Sequence, residues 1–127
     1  EAMRAAEFLA PHVDCEVIDL QTTSPIDYDA VEHSVRKTGG LLLVDDTWCG
    51  ASIFAKLKPL SNSPIFVGRI SADDTYVPAT HGLIEGYYPT AYSIAEMIKT
   101  EYEEDIDITP LKSPHPDIPD SSFKGPF

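Results

Sequence analysis

The chain has 127 residues, of which 43% are hydrophobic, and its formal net charge is −12 at pH 7. This length and apolar content are ordinary for one globular domain, and the negative charge argues against nucleic acids and anionic membrane surfaces as partners, because both attract positive charge. No stretch of the sequence approaches the length of a membrane span, and Cys15 and Cys49 lack the paired spacing of a disulfide framework, which favours reduced thiols in a cytosolic or matrix compartment.

The first ten residues predict an amphipathic helix, because small and apolar residues recur at helical spacing. The apolar stripe consists of Ala2, Met3, Ala6, Leu9 and Ala10. The sequence begins inside this helix and without a methionine, so we expect it to be a fragment of a longer chain.

A short, mostly apolar run from Cys15 to Leu20 predicts a strand that is buried between layers. Ser24 and Asp27 are three residues apart and flank Pro25, which is a helix-start signature. We therefore predict that a helix begins between residues 25 and 28.

The end of this helix is also predicted by its sequence. Arg36 and Lys37 place positive charge in the last turn, and Gly39-Gly40 supply a left-handed stop. The apolar run Leu41–Val44 is too short for a helix. Residues 15–46 therefore predict a β-α-β unit, whose strands are parallel and whose crossover is right-handed.

Further elements are predicted along the rest of the chain. A short helix is expected over residues 51–57, ended by Pro59, and a third strand over Ile65–Ile70. Residues 71–91 lack a period and predict a long ordered loop. A last amphipathic helix is predicted to start after Thr90. The loop residues expected to be buried are Tyr76, Leu83, Tyr87 and Tyr88.

Several of these segments, taken in chain order, resemble one protein family. They are the run EVIDLQTTSPID over residues 16–27, the helix ending VRKTG, the strand LLLVDD followed by Trp48, and a closing segment over residues 78–91 that contains Tyr87-Tyr88-Pro89. They resemble the C-terminal, transketolase-type domain of the β subunit of the E1 component of thiamine-diphosphate-dependent 2-oxo acid dehydrogenases. The resemblance covers about residues 1–102. The sequence departs from the family by a shortened turn and helix over residues 47–63.

The resemblance implies a fold: a three-layer α/β/α domain with a mostly parallel sheet, incomplete at its N-terminus. In this family a strand precedes the first helix and lies inside the sheet, so the chain is expected to lack part of its own sheet. We predict that residues 1–102 form the domain and that residues 103–127, which are acidic and rich in proline, form a mobile tail.

The resemblance also implies a function. The full enzyme would oxidatively decarboxylate a 2-oxo acid on thiamine diphosphate with Mg²⁺ and acylate the lipoyl group of an E2 acyltransferase. This domain would brace an α2β2 assembly and help to dock E2. The implied partners are the E1 α subunit, a second β subunit and lipoyl E2, in the bacterial cytoplasm or the mitochondrial matrix. The substrate stays open among pyruvate, branched-chain oxo acids and acetoin.

In that family the chemistry belongs to an upstream domain and to the α subunit. We therefore expect no catalytic, cofactor-binding or metal-binding residue within this chain. The residues predicted to lie in subunit interfaces are Trp48, His81, Tyr87 and Tyr88.

Several other residues have side chains that could carry chemistry, but structural roles are expected for them. Asp45 and Asp46 follow a strand, where α/β sheets place ligands, but a turn cap and a solvated carboxylate are expected instead. Cys49 lacks an adjacent histidine that would make it a nucleophile. The histidines show no zinc-binding spacing; they are His12, His33, His81 and His115. Two other functions remain open: a stand-alone α/β interaction module, and the C-terminal domain of a transketolase or deoxyxylulose-phosphate synthase.

Overall fold

A computed structural model of the chain describes residues 1–22, 24–47, 55, 66–84 and 86–112. The described part is a mixed α/β structure with one small parallel sheet. Its elements in chain order are α1 (Ala2–Leu9), α2 (Tyr28–Thr38), β1 (Gly40–Asp45), β2 (Phe66–Ser71), α3 (His81–Ile84), α4 (Ala91–Glu101) and a 3₁₀ turn (Thr109–Leu111). The helix predicted over residues 51–57 lies outside the described residues, except that position 55 is helical.

The sheet within the described residues consists of β1 and β2, which pair in parallel from Gly40 opposite Phe66 to Asp45 opposite Ser71. This agrees with the predicted strands Leu41–Val44 and Ile65–Ile70 and with the predicted mostly parallel sheet, although Ile65 lies outside the described residues. The more specific prediction, a three-layer α/β/α domain that is incomplete at its N-terminus, stays a prediction.

Helix α2 begins and ends at the predicted positions, but its first turn is capped differently. The Asp27 side chain accepts a hydrogen bond from the Ala30 N–H at 3.0 Å, so Asp27 is the N-cap and Ser24 is not. The Thr22 hydroxyl donates to the Pro25 carbonyl at 2.8 Å, ahead of this cap. Gly39 ends the helix with a φ of 81°, as predicted.

The main core lies between α1 and α4. The two helices approach each other closely because small residues, Ala5 on α1 and Ala91 and Ala95 on α4, are completely buried there, beside Leu9. Thr90 and Ser93 form a capping box at the start of α4. Met3, which the sequence places on the apolar stripe, is 59% exposed, and Ala5 takes its place in the core.

The predicted mobile tail is wrong for residues 103–112. Ile106, Ile108 and Leu111 are buried in the core that contains α1 and α4, and the Lys99 ammonium donates to the Ile106 carbonyl at 2.5 Å. The acidic, proline-rich composition predicts disorder on average, but three apolar side chains of this segment pack into the core. Residues 113–127 lie outside the described residues.

The predicted strand over Cys15–Leu20 is also not observed, because these residues form no ladder. Val17 and Ile18 are 39% and 38% exposed rather than buried. The segment nevertheless keeps a strand's two faces. Cys15 packs against the core of α1 and α4, and Leu20 packs against α2. Among the described residues, this segment pairs with no other strand.

Candidate functional site

The carboxyl end of β1 carries the two adjacent carboxylates that the sequence singled out. Asp45 accepts hydrogen bonds from both the backbone N–H and the hydroxyl of Thr47, each at 2.9 Å, and Asp46 is exposed. This geometry is the capped turn with one solvated carboxylate that the sequence predicts. The Asp45 carboxylate stabilises the turn that leaves the sheet.

No group of three or more histidine, cysteine, aspartate or glutamate side chains within the described residues is arranged to hold a metal ion. His12 and His33 are exposed at separate positions. His81 is the first residue of α3, and its side chain is not among those described. The other sequence candidates, Trp48, Cys49 and His115, lie outside the described residues.

Tyr87 and Tyr88 lie together, as predicted, but Tyr87 faces inward. Its side chain is only 8% exposed, and its hydroxyl donates to the Thr75 carbonyl at 3.3 Å. The Tyr88 ring meets the Tyr87 ring edge-on, with 4.8 Å between the centroids. Tyr87 therefore holds the loop over residues 72–90 together, while Tyr88 is half-buried.

The same loop exposes a different apolar surface, which the sequence reading assigned to the interior or left without a role. Its members are Tyr76, Val77 and Leu83, which are 96%, 63% and 68% exposed, and we call them the loop patch. Tyr76 and Leu83 also border a shallow hollow of about 380 Å³ that reaches Pro78 and Tyr87. Large aromatic and aliphatic side chains grouped on an exposed loop are typical of a protein interface.

The sequence contains the apolar residues of this patch but does not show which of them are exposed. Three large apolar residues occur in a segment that has no helical or strand period, and a loop cannot bury all of them. Which tyrosine turns inward depends on the Thr75 carbonyl that Tyr87 reaches, and this contact has no sequence signature.

A cleft of about 940 Å³ opens between β1 and the segment over residues 13–20. Its lining includes apolar side chains from three helices. Helices α1 and α4 contribute Met3, Ala6, Ile94 and Ile98, and α2 contributes Val31 and Val35.

Charged groups at the edge of this cleft have shifted pKa values. The exposed Lys37 ammonium donates to the Glu16 carboxylate at 2.8 Å, which lowers the pKa of Glu16 and raises that of Lys37. Partial burial, followed by the nearby Asp14 carboxylate, raises the pKa of the Cys15 thiol. The Cys15 thiol is therefore poorly suited to act as a nucleophile at neutral pH.

No helix in the described part of the chain is long and apolar enough to cross a membrane.

Residues 1–94 match the transketolase C-terminal domain family. The chain belongs to this family. The resemblance read from the motifs is thereby confirmed, and the described α1, α2, β1 and β2 all lie within the matched region.

The two relatives named here match this transketolase C-terminal domain over only a part of their own length. The chain is 31% identical over 105 residues to the pyruvate dehydrogenase E1 component subunit beta of Rickettsia bellii (strain RML369-C), covering 77% of the chain and 32% of that protein. It is 38% identical over 87 residues to the subunit of the same name from Staphylococcus aureus (strain Mu50 / ATCC 700699), covering 63% of the chain and 27% of that protein. The chain thus spans about a quarter to a third of the length of these relatives.

Proposed function

We propose that this chain is the C-terminal assembly and partner-docking domain of a thiamine-diphosphate-dependent 2-oxo acid dehydrogenase E1 β subunit. The family membership and the E1 β relatives support the enzyme class. The loop patch is the observation that supports the assembly role, because Tyr76, Val77 and Leu83 are large, exposed and lie within residues 76–83.

The domain's contribution to the enzyme is structural rather than chemical. Thiamine diphosphate with Mg²⁺ would require cationic or backbone donors for a diphosphate and oxygen ligands for the metal. Among the described residues, the Asp45 carboxylate is engaged by Thr47 and no group of three or more potential ligands is arranged to hold a metal ion, so these residues do not fit the group. As the resemblance implies, we assign the cofactor and the decarboxylation step to other parts of the enzyme.

The proposed partners are the E1 α subunit, a second β subunit and the lipoyl E2 acyltransferase, with the enzyme in the bacterial cytoplasm or the mitochondrial matrix. The net charge of −12 suits partners with basic surfaces. Asp73 and Asp74 are exposed directly before the loop patch, so an apolar partner surface flanked by lysine or arginine would match it best.

The test is to produce the full β subunit together with its α partner and to measure 2-oxo acid-dependent reduction of ferricyanide. Pyruvate, branched-chain 2-oxo acids and acetoin are compared as substrates. We expect activity that requires both subunits, thiamine diphosphate and Mg²⁺, and no activity from the 127-residue chain alone.

Two results would contradict the proposal. One is activity of the 127-residue chain by itself, since this would place the chemistry inside the domain. The other is a full protein that neither binds an α subunit nor turns over these substrates, which would favour a stand-alone interaction module. Ketol transfer between sugar phosphates by the full protein would instead favour a transketolase.

A further inference from the structure

Residues 103–112, which we call the strap, run back along α4 from its last turns to its first. Near the end of the helix, the Glu104 N–H donates to the Lys99 carbonyl at 3.1 Å. At the other end of the strap, the Lys112 ammonium lies 4.8 Å from the centroid of the Tyr92 ring. Tyr92 is the second residue of α4, so the strap ends where the loop that carries the loop patch enters this helix.

The residues that follow Lys112 therefore start within reach of the loop patch. Tyr92 is five residues after Tyr87, which borders the hollow beside the patch, and five residues span at most about 18 Å. Phe123 is eleven residues after Lys112, and a proline-rich spacer of that length covers about 34 Å. The prolines of this spacer are Pro114, Pro116 and Pro119.

Residues 121–127, which we call the distal segment, differ in charge from the rest of the chain. Their sequence is SSFKGPF, which contains Phe123, Lys124 and Phe127 but no aspartate or glutamate. The side chains of this segment thus carry a net charge of +1, whereas the whole chain carries −12. The distal segment combines two aromatic side chains with a positive charge.

The loop patch has the complementary character. Tyr76, Val77 and Leu83 expose apolar surface, Asp73 lines the hollow beside them, and both Asp73 and Asp74 are exposed. Two carboxylates repel an acidic segment and attract a lysine. An aromatic segment that carries a lysine is therefore the part of this chain that fits the patch best.

We propose that the distal segment docks onto the loop patch of its own chain and covers it until a partner subunit displaces it. The two phenylalanines cover the apolar side chains of the patch, and Lys124 pairs with Asp73. A tether of eleven residues keeps the segment at an effective concentration on the order of millimolar, so a weak contact is enough. The inference deepens the proposed function and rests on it only for the partner that competes.

The first test is the rate at which trypsin cleaves the 127-residue chain after Lys124. Docking protects this bond, so the cleavage rate follows the fraction of chains in which the segment is free. The combined Tyr76→Ser and Leu83→Ser changes should raise this rate at least about fivefold. Cleavage after Lys112, at the end of the strap, should not change and is the internal control.

The second test observes the loop patch itself by NMR, at low concentration of the same chain. The combined Phe123→Ser and Phe127→Ser changes should shift the resonances of Tyr76 and Leu83, because the side chains that cover them are removed. Ser121→Ala, in the same segment, is the control and should leave these resonances at their wild-type positions.

Two results would overturn the docking. One is an equal rate of cleavage after Lys124 in the wild type and the loop-patch variant. The other is a set of Tyr76 and Leu83 resonances that the phenylalanine changes leave in place. Shifts that appear only as the protein concentration rises would also overturn it, because the segment would then come from a second copy.

A third measurement separates this inference from the proposed function. In the full β subunit with its α partner, the phenylalanine changes should tighten the association by the same factor as the rise in cleavage rate, because the segment no longer competes. An unchanged association, with docking shown by the first two tests, would place the partner elsewhere. That result would contradict the displacement and the assembly role of the loop patch, but not the docking.

Discussion

The ion pair between Glu16 and Lys37 links the segment over residues 13–20 to α2 across the surface. The hydrogen bond from Lys37 lowers the pKa of Glu16, so the pair contributes stability above the usual glutamate pKa, and this is lost as the pH falls through the lowered value. The pKa of Lys37 is raised, so the stability that Lys37 contributes is fully present below the usual lysine pKa. This contribution is lost as the pH rises through the raised pKa.

Replacing Lys37 by methionine should therefore return the pKa of Glu16 toward its ordinary value. NMR titration of the Glu16 side chain measures this directly. The difference in free energy of unfolding between the wild type and the Lys37→Met variant should be present at neutral pH and disappear in acid. Arg36→Met removes the neighbouring pair with Glu32 on the same helix and should leave the titration of Glu16 unchanged. An identical Glu16 titration in the Lys37 variant would show that the pair does not form.

The ring of Phe66 packs against Gly68 so closely that it leaves no room for a side chain there. Gly68 lies two residues after Phe66 on β2, and a Cβ at this position would collide with the Phe66 ring and approach the Leu42 side chain to 3.2 Å. Gly68→Val should destabilise the chain by about 1 to 3 kcal/mol, although valine favours strands, because the packed ring must move. Urea unfolding measures this change. Arg69→Val places the same side chain on the opposite face and should cost less; equal costs would refute the role of the ring.

At the scale of elements, the sequence correctly predicted the helix ends and the strand that depend on neighbouring residues. The end of α2 at Gly39, the start of α4 after Thr90 and the strand over residues 41–44 follow from capping groups and apolar runs that act within a few residues. The segment over residues 15–20 was predicted as a strand from the same kind of pattern. It forms no ladder with the described strands, and a local pattern cannot report whether a strand has a partner to pair with.

The segment over residues 103–112 shows the opposite error. Its charge and prolines predict disorder on average, yet Ile106, Ile108 and Leu111 cover the core at the end of α4. Asp107 supports the turn by accepting from the Thr109 N–H at 3.0 Å, and the hydrogen bonds from Thr109 lower the pKa of Asp107. Averages over composition cannot show that a few apolar residues have a surface to cover.

This contact predicts a large effect for a residue outside the expected domain. Leu111→Ala should lower the free energy of unfolding by about 2 to 4 kcal/mol, because it removes a side chain that is only 4% exposed. Urea unfolding is again the measurement. Asp105→Ala, at an exposed position of the same segment, should change stability by less than about 0.5 kcal/mol. A Leu111 variant as stable as the control would restore the view that this segment is mobile.

At the scale of the whole molecule, the sequence predicted an aromatic loop but not which of its side chains are buried. Tyr87 is buried against Thr75, as expected of a loop residue, whereas Tyr76 and Leu83, also expected to be buried, face solvent. The interface role of Tyr87 and Tyr88 stays a prediction. Trp48 and the side chain of His81 lie outside the described structure, and their interface roles stay predictions. Sequence patterns identify an aromatic loop, but only tertiary contacts decide which of its side chains remain exposed.

The central claim is that this domain assembles an E1 enzyme through the loop patch, and sedimentation velocity of the full β subunit with its α partner tests it most directly. The combined Tyr76→Ser and Leu83→Ser changes remove two exposed anchors and should weaken the association at least about 30-fold, with the melting temperature of the isolated domain nearly unchanged. Thr80→Ser, on the same loop, should assemble like the wild type. Assembly of the double variant at wild-type concentrations would contradict the account.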